Sequence, residues 1–346
     1  ADAGRGTATA PVAMTRATRD ALLGAAAGSL LLCVVMWPTL VQMAGTWRNN
    51  EAYQYAWLIV PMLVYVIGWH RGPGRAPLTP QPGFAGVLMV IAAAACWCAA
   101  TLMNIDAGRE FAFVLALHGI AMSALGWRCY RSLFPALALL FLMIPSGDLL
   151  QPALRVLTVK AIELSAAAAQ LPHSVEGFVI YIGTHRYIVV DECSGLAYVT
   201  LAAFLGYCFG LLLYRSLTKV VALALLGALL GIVSNVLRVD AIVFIDWLRD
   251  SQMDLAAHGT LQWIALFATL GLLFFVLARL KGDAPSAVAP PVPPPQSAAT
   301  MRKFAPVFGG LAGLLIAGSA TALPAPAMGA QHAGQSDQFP SAFSGW

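Results

Sequence analysis

Charged side chains are scarce in this sequence. Aspartate, glutamate, lysine and arginine account for only 10% of the 346 residues, whereas a soluble globular domain has roughly 25%. Hydrophobic residues account for 59% and gather in long runs, which is typical of helices that cross a membrane. This composition excludes a soluble fold, and the small net charge of +4 gives no reason to expect nucleic acid as a partner. We therefore expect an all-α protein that crosses a lipid bilayer several times.

The sequence also lacks the patterns of disulfide bonds, metal sites and leader peptides. Five of the six cysteines lie inside or beside apolar runs, so no disulfide framework is expected. No two His, Asp or Glu residues have ligand spacing on one predicted face, so we expect no metal ion and no other cofactor. The first apolar run is a full membrane span without a small-residue cleavage pattern, so we expect no cleaved signal peptide.

Eight apolar runs predict eight core transmembrane helices, at about 21–43, 55–69, 84–103, 111–127, 130–145, 194–213, 219–238 and 256–279. Between the fifth and sixth spans, leucines and alanines recur every three or four residues over 150–171, opposite charged side chains. This pattern predicts an amphipathic helix on the membrane surface. β-Branched and aromatic runs at 178–182 and 187–190 then predict a short β-hairpin. A short acidic segment, 240–254, is expected between the last two spans.

The two ends of the chain differ from this core. Residues 1–20 show no apolar period and are predicted to be a flexible tail. Residues 282–303 contain six prolines and are predicted to be a semi-extended linker. Within 304–346, the apolar run 304–323 is a candidate ninth transmembrane helix, and the remainder is predicted to be disordered. No sequence feature indicates an oligomeric state.

Basic residues are distributed unequally between the two sides of the predicted topology. With the N-terminus in the cytoplasm, thirteen of the twenty lysines and arginines fall on the cytoplasmic side and seven on the outer side. Short basic loops stay on the cytoplasmic side of a membrane, so this orientation is the expected one. Treating 149–171 as a further span would reverse every later helix and move Arg215, Lys219, Arg279 and Lys281 outside. We therefore expect a multi-pass protein of the inner (plasma) membrane with a cytoplasmic N-terminus.

Cys193 occupies the point where the predicted hairpin gives way to a long apolar helix. Residues 191–196 read Asp-Glu-Cys-Ser-Gly-Leu. The free amides at a helix N-terminus favour an anion, and the thiolate is the nucleophilic form of cysteine. The neighbouring carboxylate of Glu192 opposes this effect, and a buried structural cysteine is the alternative interpretation.

Arg238 ends an apolar run, where an ionised side chain is costly unless it reaches water or a partner. Its planar charged group suits a developing oxyanion. The alternative is an arginine that reaches the surface and pairs with Asp240 or Asp246. Asn235, three residues earlier, shares the helix face of Arg238 and is a candidate for orienting Arg238 or the substrate.

His258 begins the next apolar run. A histidine, with an unperturbed pKa near 6.5, takes and gives a proton near neutral pH. A cap or interfacial histidine is the alternative interpretation, and His185 is the rival candidate. In the predicted topology Cys193, Arg238 and His258 come from three helices but all lie at the outer surface. They are therefore candidates for a nucleophile, an oxyanion clamp and a proton carrier.

These residues resemble the motifs of the exosortase/archaeosortase family of integral membrane cysteine proteases or transpeptidases. The resemblance covers roughly residues 25–280 and rests on Glu-Cys-Ser-Gly-Leu at 192–196, Asn-Val-Leu-Arg at 235–238, His258, and Met-Ile-Pro-Ser-Gly-Asp at 143–148. It implies that 21–281 form a transmembrane exosortase-like catalytic domain with the triad Cys193, Arg238 and His258. Asn235, Ser194 and Glu192 are expected to bind or orient the substrate. Many relatives carry a Tyr-Ser-His-Gly-like motif after the first span, whereas residues 53–56 here read Tyr-Gln-Tyr-Ala.

The resemblance also implies a substrate and a reaction. Expected substrates are membrane-anchored exported proteins with a short C-terminal sorting signal, such as a Pro-Glu-Pro type motif followed by a transmembrane helix and a basic tail. Cleavage just outside the membrane would serve protein sorting and exopolysaccharide-associated surface assembly. Cys193 would attack the scissile carbonyl, Arg238 would stabilise the oxyanion, and His258 would protonate the departing amine. The alternative is a non-catalytic transporter or scaffold of polysaccharide export.

Overall fold

The computed structural model of the protein describes residues 16–69, 79–249 and 255–283, and most of these residues are helical. Nine α-helices occur in this part of the chain: α1 (Arg16–Val35), α2 (Trp37–Asn49), α3 (Ile59–Trp69), α4 (Phe84–Leu102), α5 (Asp106–Leu137), α6 (Gln151–Ala168), α7 (Leu196–Leu213), α8 (Leu217–Arg249) and α9 (Leu255–Arg279). Six helices in the described ranges are long and apolar enough to cross a membrane. The prediction of an all-α polytopic membrane protein is therefore confirmed.

α5 is a hairpin and not a straight rod. Gly126 has the non-helical angles φ 78° and ψ 161°, and the helix reverses there. As a result the rings of Phe111 and Phe141 lie 6.3 Å apart, whereas thirty residues of straight helix would separate them by about 45 Å. Gly126 leaves no room for a side chain, because its Cβ would overlap the carbonyl oxygen of Gln81. The hairpin accounts for the two crossings predicted at 111–127 and 130–145.

The predicted second span begins as a 3₁₀ helix. Residues Glu51–Leu58 form it, and α3 follows without a break. At about 2.0 Å per 3₁₀ residue and 1.5 Å per α residue, the two together are roughly 32 Å long, which matches a hydrocarbon core. The side chain of Asn50 accepts a hydrogen bond from the amide of Ala52. Thr200 of α7 donates a 2.7 Å hydrogen bond to the Ala52 carbonyl, so the start of this span is held against α7.

Contacts between helix ends define two opposite ends of the bundle. At the Asp148 end, the Trp47 indole donates to the Met143 carbonyl at 2.9 Å, and the Tyr53 hydroxyl donates to Asp148 at 2.6 Å. At the Asp283 end, Lys219 donates to Asp283 at 2.6 Å. This hydrogen bond holds the pKa of the Asp283 carboxyl below its usual range. The candidate site residues belong to the Asp148 end.

Glycines bring α7 and α8 into close contact. Gly206 and Gly210 are spaced by four on α7, as Gly227 and Gly231 are on α8. A Cβ on Gly231 would lie 2.6 Å from the carbonyl oxygen of Tyr198, so the two backbones nearly touch. Close packing of small residues is a main source of helix association in lipid, where the hydrophobic effect between helices is absent. α7 and α8 thus form a closely packed pair that carries two of the candidate site segments.

α6 and a three-stranded antiparallel sheet form a cap on the Asp148 end. The strands are β1 (His173–Glu176), β2 (Val179–Ile182) and β3 (His185–Ile188), in the order β1-β2-β3. The sheet contains the predicted hairpin and one additional strand. An apolar cluster that includes Ile162, Ile180 and Val243 joins the sheet to α6 and α8. We call this the cap cluster.

α8 is longer than the sequence predicts. The acidic segment expected from residue 240 is helical up to Arg249, so this prediction is wrong over that range. Val239, Val243 and Trp247 are spaced by four and pack in or against the cap cluster. This packing stabilises about three extra turns of helix. Arg238 consequently lies inside α8 and not at its end.

Several predicted segments lie outside the described residues. They are residues 1–15 of the predicted N-terminal tail, the linker beyond residue 283, and the candidate ninth helix and tail at 304–346. α1 begins at Arg16, so the last residues of the predicted tail are helical.

Candidate active site

Arg155 of α6 holds the segment that leads from the sheet to Cys193. Its guanidinium donates two hydrogen bonds to the Val189 carbonyl, at 3.1 and 2.7 Å, and one to the Asp191 carboxylate at 2.6 Å. It also lies 3.8 Å from the centre of the Phe178 ring. A guanidinium with several partners is restricted to one orientation. The chain that enters the Cys193 turn is therefore tied to the cap.

A tight turn carries Cys193 into α7. Residues Asp191–Ser194 form a 3₁₀ turn, and Gly195 follows with φ 84°. Asn235 of α8 is 1% exposed and donates a 3.0 Å hydrogen bond from Nδ2 to the Cys193 carbonyl. A Cβ at Gly195 would overlap the Asn235 side chain. The Cys193 turn and the middle of α8 are thus in direct contact.

The three residues of the Glu-Cys-Ser segment have different surroundings. Cys193 is half-buried and packs against the cap cluster. Glu192 is exposed. Ser194 is 3% exposed, and its hydroxyl accepts a 3.3 Å hydrogen bond from the Leu196 amide. Because this hydroxyl is buried and locally bonded, the geometry favours an orienting role for Ser194 over contact with a substrate.

Arg238 is buried one helical turn after Asn235. It is 9% exposed, and its Cζ lies 5.3 Å from the centre of the Tyr198 ring, a distance at which a cation and an aromatic face attract. Its Nε has no hydrogen-bond partner among the described residues. An N–H group buried without a partner is costly. One donor of Arg238 is therefore available to a ligand.

The two acidic residues considered as partners of Arg238 interact elsewhere. Asp240 accepts a 2.8 Å hydrogen bond from Ser165 of α6. Asp246 lies close enough to the Tyr187 hydroxyl of β3 to act on it electrostatically. Both carboxylates thus join α8 to the cap. This arrangement speaks against the alternative in which Arg238 is a surface arginine paired with one of them.

Tyr198, in the first turn of α7, is a site residue that sequence reasoning missed. Its hydroxyl donates a 3.0 Å hydrogen bond to the Gln262 carbonyl of α9 and lies within hydrogen-bonding reach of the Arg238 guanidinium. Cys193 and Glu51 are close enough to act on it electrostatically. The only sequence signal is a tyrosine at the start of an otherwise apolar helix. Tyr198 links α7, α8 and α9 beside the Cys193 turn.

His258 lies in the first turn of α9, and its side chain falls outside the described residues. Gln262 follows it by four residues, so the two positions share one face of α9. The Gln262 carbonyl accepts the hydrogen bond of Tyr198. The backbone of His258 therefore lies one helical turn along α9 from the contact with Tyr198.

His185, the rival histidine, belongs to β3 in the cap. Its ring stacks on Tyr187 with centroids 6.2 Å apart. Burial, together with the nearby Asp246 carboxylate, raises the pKa of the Tyr187 hydroxyl. Asp246 follows Asn235 by eleven residues, about 16 Å along α8. The geometry therefore favours His258 over His185 as the histidine near the Cys193 turn.

In the part of the chain that the structure describes, no group of three or more His, Cys, Asp or Glu side chains is placed to hold a metal ion. Asp148, Asp191 and Asp240 bond to Tyr53, Arg155 and Ser165 respectively.

Over residues 47–275 the sequence matches the family described as Transmembrane exosortase (Exosortase_EpsH). The chain belongs to the transmembrane exosortase family. No curated protein and no solved structure matches it. In this exosortase the matched range runs from the end of α2 almost to the end of α9, and it includes Cys193, Asn235 and Arg238. The family expected from the motifs is confirmed, and membership supports a general role as a membrane protease or transpeptidase.

Asn235→Ala in this exosortase removes the hydrogen bond to the Cys193 carbonyl and leaves space beside Gly195. We expect the turn to become mobile, so that a neutral maleimide alkylates Cys193 several-fold faster. Peptide mass spectrometry measures alkylation at each cysteine. Cys98, exposed on α4, is the internal control, and an unchanged rate at Cys193 would contradict the positioning role.

Proposed function

We propose that this exosortase is a cysteine peptidase or transpeptidase that cleaves C-terminal sorting signals (PEP-CTERM type) of membrane-anchored exported proteins. Cys193 is the nucleophile, Arg238 stabilises the oxyanion and His258 carries the proton. The observation that carries this proposal is the hydrogen bond from Asn235 to the Cys193 carbonyl, one helical turn from buried Arg238. Tyr198, which contacts Arg238 and bonds α9, supports the inclusion of His258.

The proposed reaction has two steps. The Cys193 thiol transfers its proton to His258, and the thiolate adds to the scissile carbonyl. Arg238 donates hydrogen bonds to the oxyanion while the carbon–nitrogen bond breaks, and His258 returns the proton to the departing amine. The remaining thioester is then attacked by water, which gives hydrolysis, or by an amine or hydroxyl group, which gives transfer. The thiol leaves and regains its proton, so atoms and charge balance.

The charge distribution supports an outward-facing site. Six basic residues of the described ranges flank the helix ends and loops near the Asp283 end: Arg128, Arg131, Arg215, Lys219, Arg279 and Lys281. In the predicted topology this side carries thirteen of the twenty lysines and arginines of the whole sequence, so by the positive-inside rule this end faces the cytoplasm. The cap and Cys193 then face outward from the inner membrane, and the N-terminus is cytoplasmic. This location suits protein sorting and exopolysaccharide-associated surface assembly, and sharing one membrane raises the effective concentration of an anchored substrate.

The test compares the C-termini of membrane proteins in cells that carry the wild type, Cys193→Ala or Cys98→Ala. We expect a set of anchored proteins to be shortened with the wild type and with Cys98→Ala, and to keep full-length C-termini with Cys193→Ala. Intact-mass spectrometry measures the C-termini, and any added mass identifies the acceptor. Immunoblots must show equal amounts of the three proteins.

Two results would count against the proposal. Shortened proteins that persist with Cys193→Ala would exclude Cys193 as the nucleophile. C-termini that are identical with and without the wild-type protein would favour a transporter or scaffold of polysaccharide export.

A further inference from the structure

A groove opens between the 3₁₀ helix Glu51–Leu58 and α9, with α7 as its floor. Its volume is about 390 Å³. It is lined by ten residues: Glu51, Gln54, Tyr55, Leu58, Ala197, Tyr198, Leu201, Gln262, Trp263 and Leu266. The volume falls within the range of sites that bind ligands, roughly 300–1,000 Å³. A helix about 10–12 Å wide does not fit in such a space, whereas a short extended chain does.

The groove changes character along its length. Its mouth carries polar side chains, and Gln262 Nε2 donates a 3.1 Å hydrogen bond across it to the Glu51 carboxylate. Further along each helix, away from the cap, the lining becomes apolar with Leu58, Leu201 and Leu266. Since Leu201 lies five residues into α7, the apolar part begins roughly 7 Å below the start of that helix. The groove therefore runs from a polar mouth into the apolar depth of the bundle.

Tyr198 connects the groove to the candidate active site. It forms part of the groove wall, and its ring faces the Arg238 guanidinium at 5.3 Å. A chain lying in the groove would thus pass directly beside the proposed oxyanion donor. The groove is distinct from the Cys193 turn, whose residues do not line it.

We propose that this groove holds the segment of the substrate that follows the scissile bond, as a short extended chain that leads into the substrate's membrane anchor. The proposal rests on the proposed function and assigns Glu51, Gln54 and Gln262 as the residues that bind the substrate backbone. An extended chain that enters the apolar layer carries unpaired N–H and C=O groups, each costly without a partner. The carboxylate of Glu51 accepts hydrogen bonds from N–H groups, and the two amides bond with either group.

The hydrogen bond between Gln262 and Glu51 closes the mouth when no substrate is bound. It crosses from α9 to the 3₁₀ helix, and both side chains also line the groove. When the substrate binds, its backbone forms hydrogen bonds with Gln262 and Glu51 that replace the one between them. These new bonds offset the free energy of opening the mouth. Leu58 and Leu266 then receive apolar side chains of the substrate.

Photo-crosslinking tests the location of the substrate directly. The probe is a reporter anchored by a C-terminal helix and carrying a Pro-Glu-Pro motif and a basic tail, combined with the Cys193→Ala enzyme. A benzophenone amino acid replaces Leu266 or Leu58 in the groove. Matched controls carry it at Ile264, which is 58% exposed, or Val60, which is 51% exposed, because both lie about 160° around their helix from the groove position. We expect reporter crosslinks from the groove positions and none above background from the controls.

Filling the groove tests its role in turnover. Leu266→Trp places a bulky ring in the apolar part, and we expect cleavage of the reporter to fall about tenfold or more, because the chain can no longer align with the thiol. Ile264→Trp adds the same ring on the face that points away and should change cleavage by less than about twofold, as expected for a surface substitution. Leu266 is half-buried and Ile264 is exposed, so neither ring disrupts the core.

The outcomes separate this proposal from the proposed function. Equal or absent crosslinks at all four positions, or normal cleavage by Leu266→Trp, would overturn the groove assignment. If Cys193→Ala still abolishes cleavage in that case, the proposed function stands. Groove crosslinks to a reporter that the wild type does not cleave would support the groove and count against the peptidase.

Discussion

Replacing Arg238 with alanine should lower the rate of substrate cleavage by about 10²–10³-fold, the loss typical of removing an oxyanion donor. Arg238 is 9% exposed and its Nε has no hydrogen-bond partner among the described residues, so this donor is available to the carbonyl of the proposed substrate. Because the donor acts on the transition state, kcat should fall much more than KM rises. Initial rates of reporter cleavage over a range of substrate concentrations measure both.

Arg238→Lys tests whether the planar guanidinium of Arg238 or only its positive charge is required for cleavage. A lysine keeps the positive charge but lacks the planar fork and stacks less well on Tyr198, so we expect it to recover only a small part of the activity. Arg48→Ala is the matched control, because Arg48 is exposed at the same end of the bundle. Full activity of Arg238→Lys, or an equal loss in Arg48→Ala, would contradict the oxyanion role.

Gly195→Ala should abolish detectable cleavage and lower the melting temperature of the purified protein. Gly195 has φ 84°, a region that costs a residue with a Cβ about 1–2 kcal/mol. Its Cβ would also overlap Asn235, so either Asn235 or the Cys193 turn must move. Cleavage assays and thermal unfolding in detergent measure the two effects.

A double variant separates the two causes of this loss. Combining Gly195→Ala with Asn235→Ala removes the close contacts with the Asn235 Cγ and Nδ2 atoms and leaves only the one with its Cβ, so the two stability losses should sum to more than the loss in the double variant. The backbone strain remains, so the double variant should still be less stable than Asn235→Ala alone. Gly271→Ala in α9 is the control, because a Cβ there meets nothing within 4 Å. Strict additivity would show that Gly195 and Asn235 are not in steric conflict.

The membrane-crossing helices were predictable because their signal is local. A bilayer requires long apolar runs wherever a helix crosses it, and 84–103 and 194–213 correspond closely to α4 and α7. The hairpin at 178–190 was equally local, since alternating β-branched and aromatic residues border Gly183. The additional strand β1 was missed because its four residues, His-Ser-Val-Glu, have little β character and pair only through the neighbouring strand.

The length of α8 and the role of Tyr198 were not predictable, because both depend on distant contacts. Charges after Arg238 indicate a loop, but Val243 and Trp247 find partners in a sheet more than fifty residues earlier. In the sequence, Tyr198 looks like an ordinary tyrosine at the membrane interface. Only its hydrogen bond to Gln262 and its contact with Arg238 distinguish it. Sequence spacing does not measure distances between helices.

Composition, periodicity and short motifs were enough to predict the fold class and the family, which are confirmed, and to nominate candidate reactive groups, because all three are properties of neighbouring residues. The tertiary structure was needed to show that Asn235 holds the Cys193 turn, that His185 belongs to the cap, and that a groove opens beside Tyr198. These relations arise where glycines let α7 and α8 approach and where the cap packs on α8. Such packing joins residues far apart in the chain, so no local pattern encodes it.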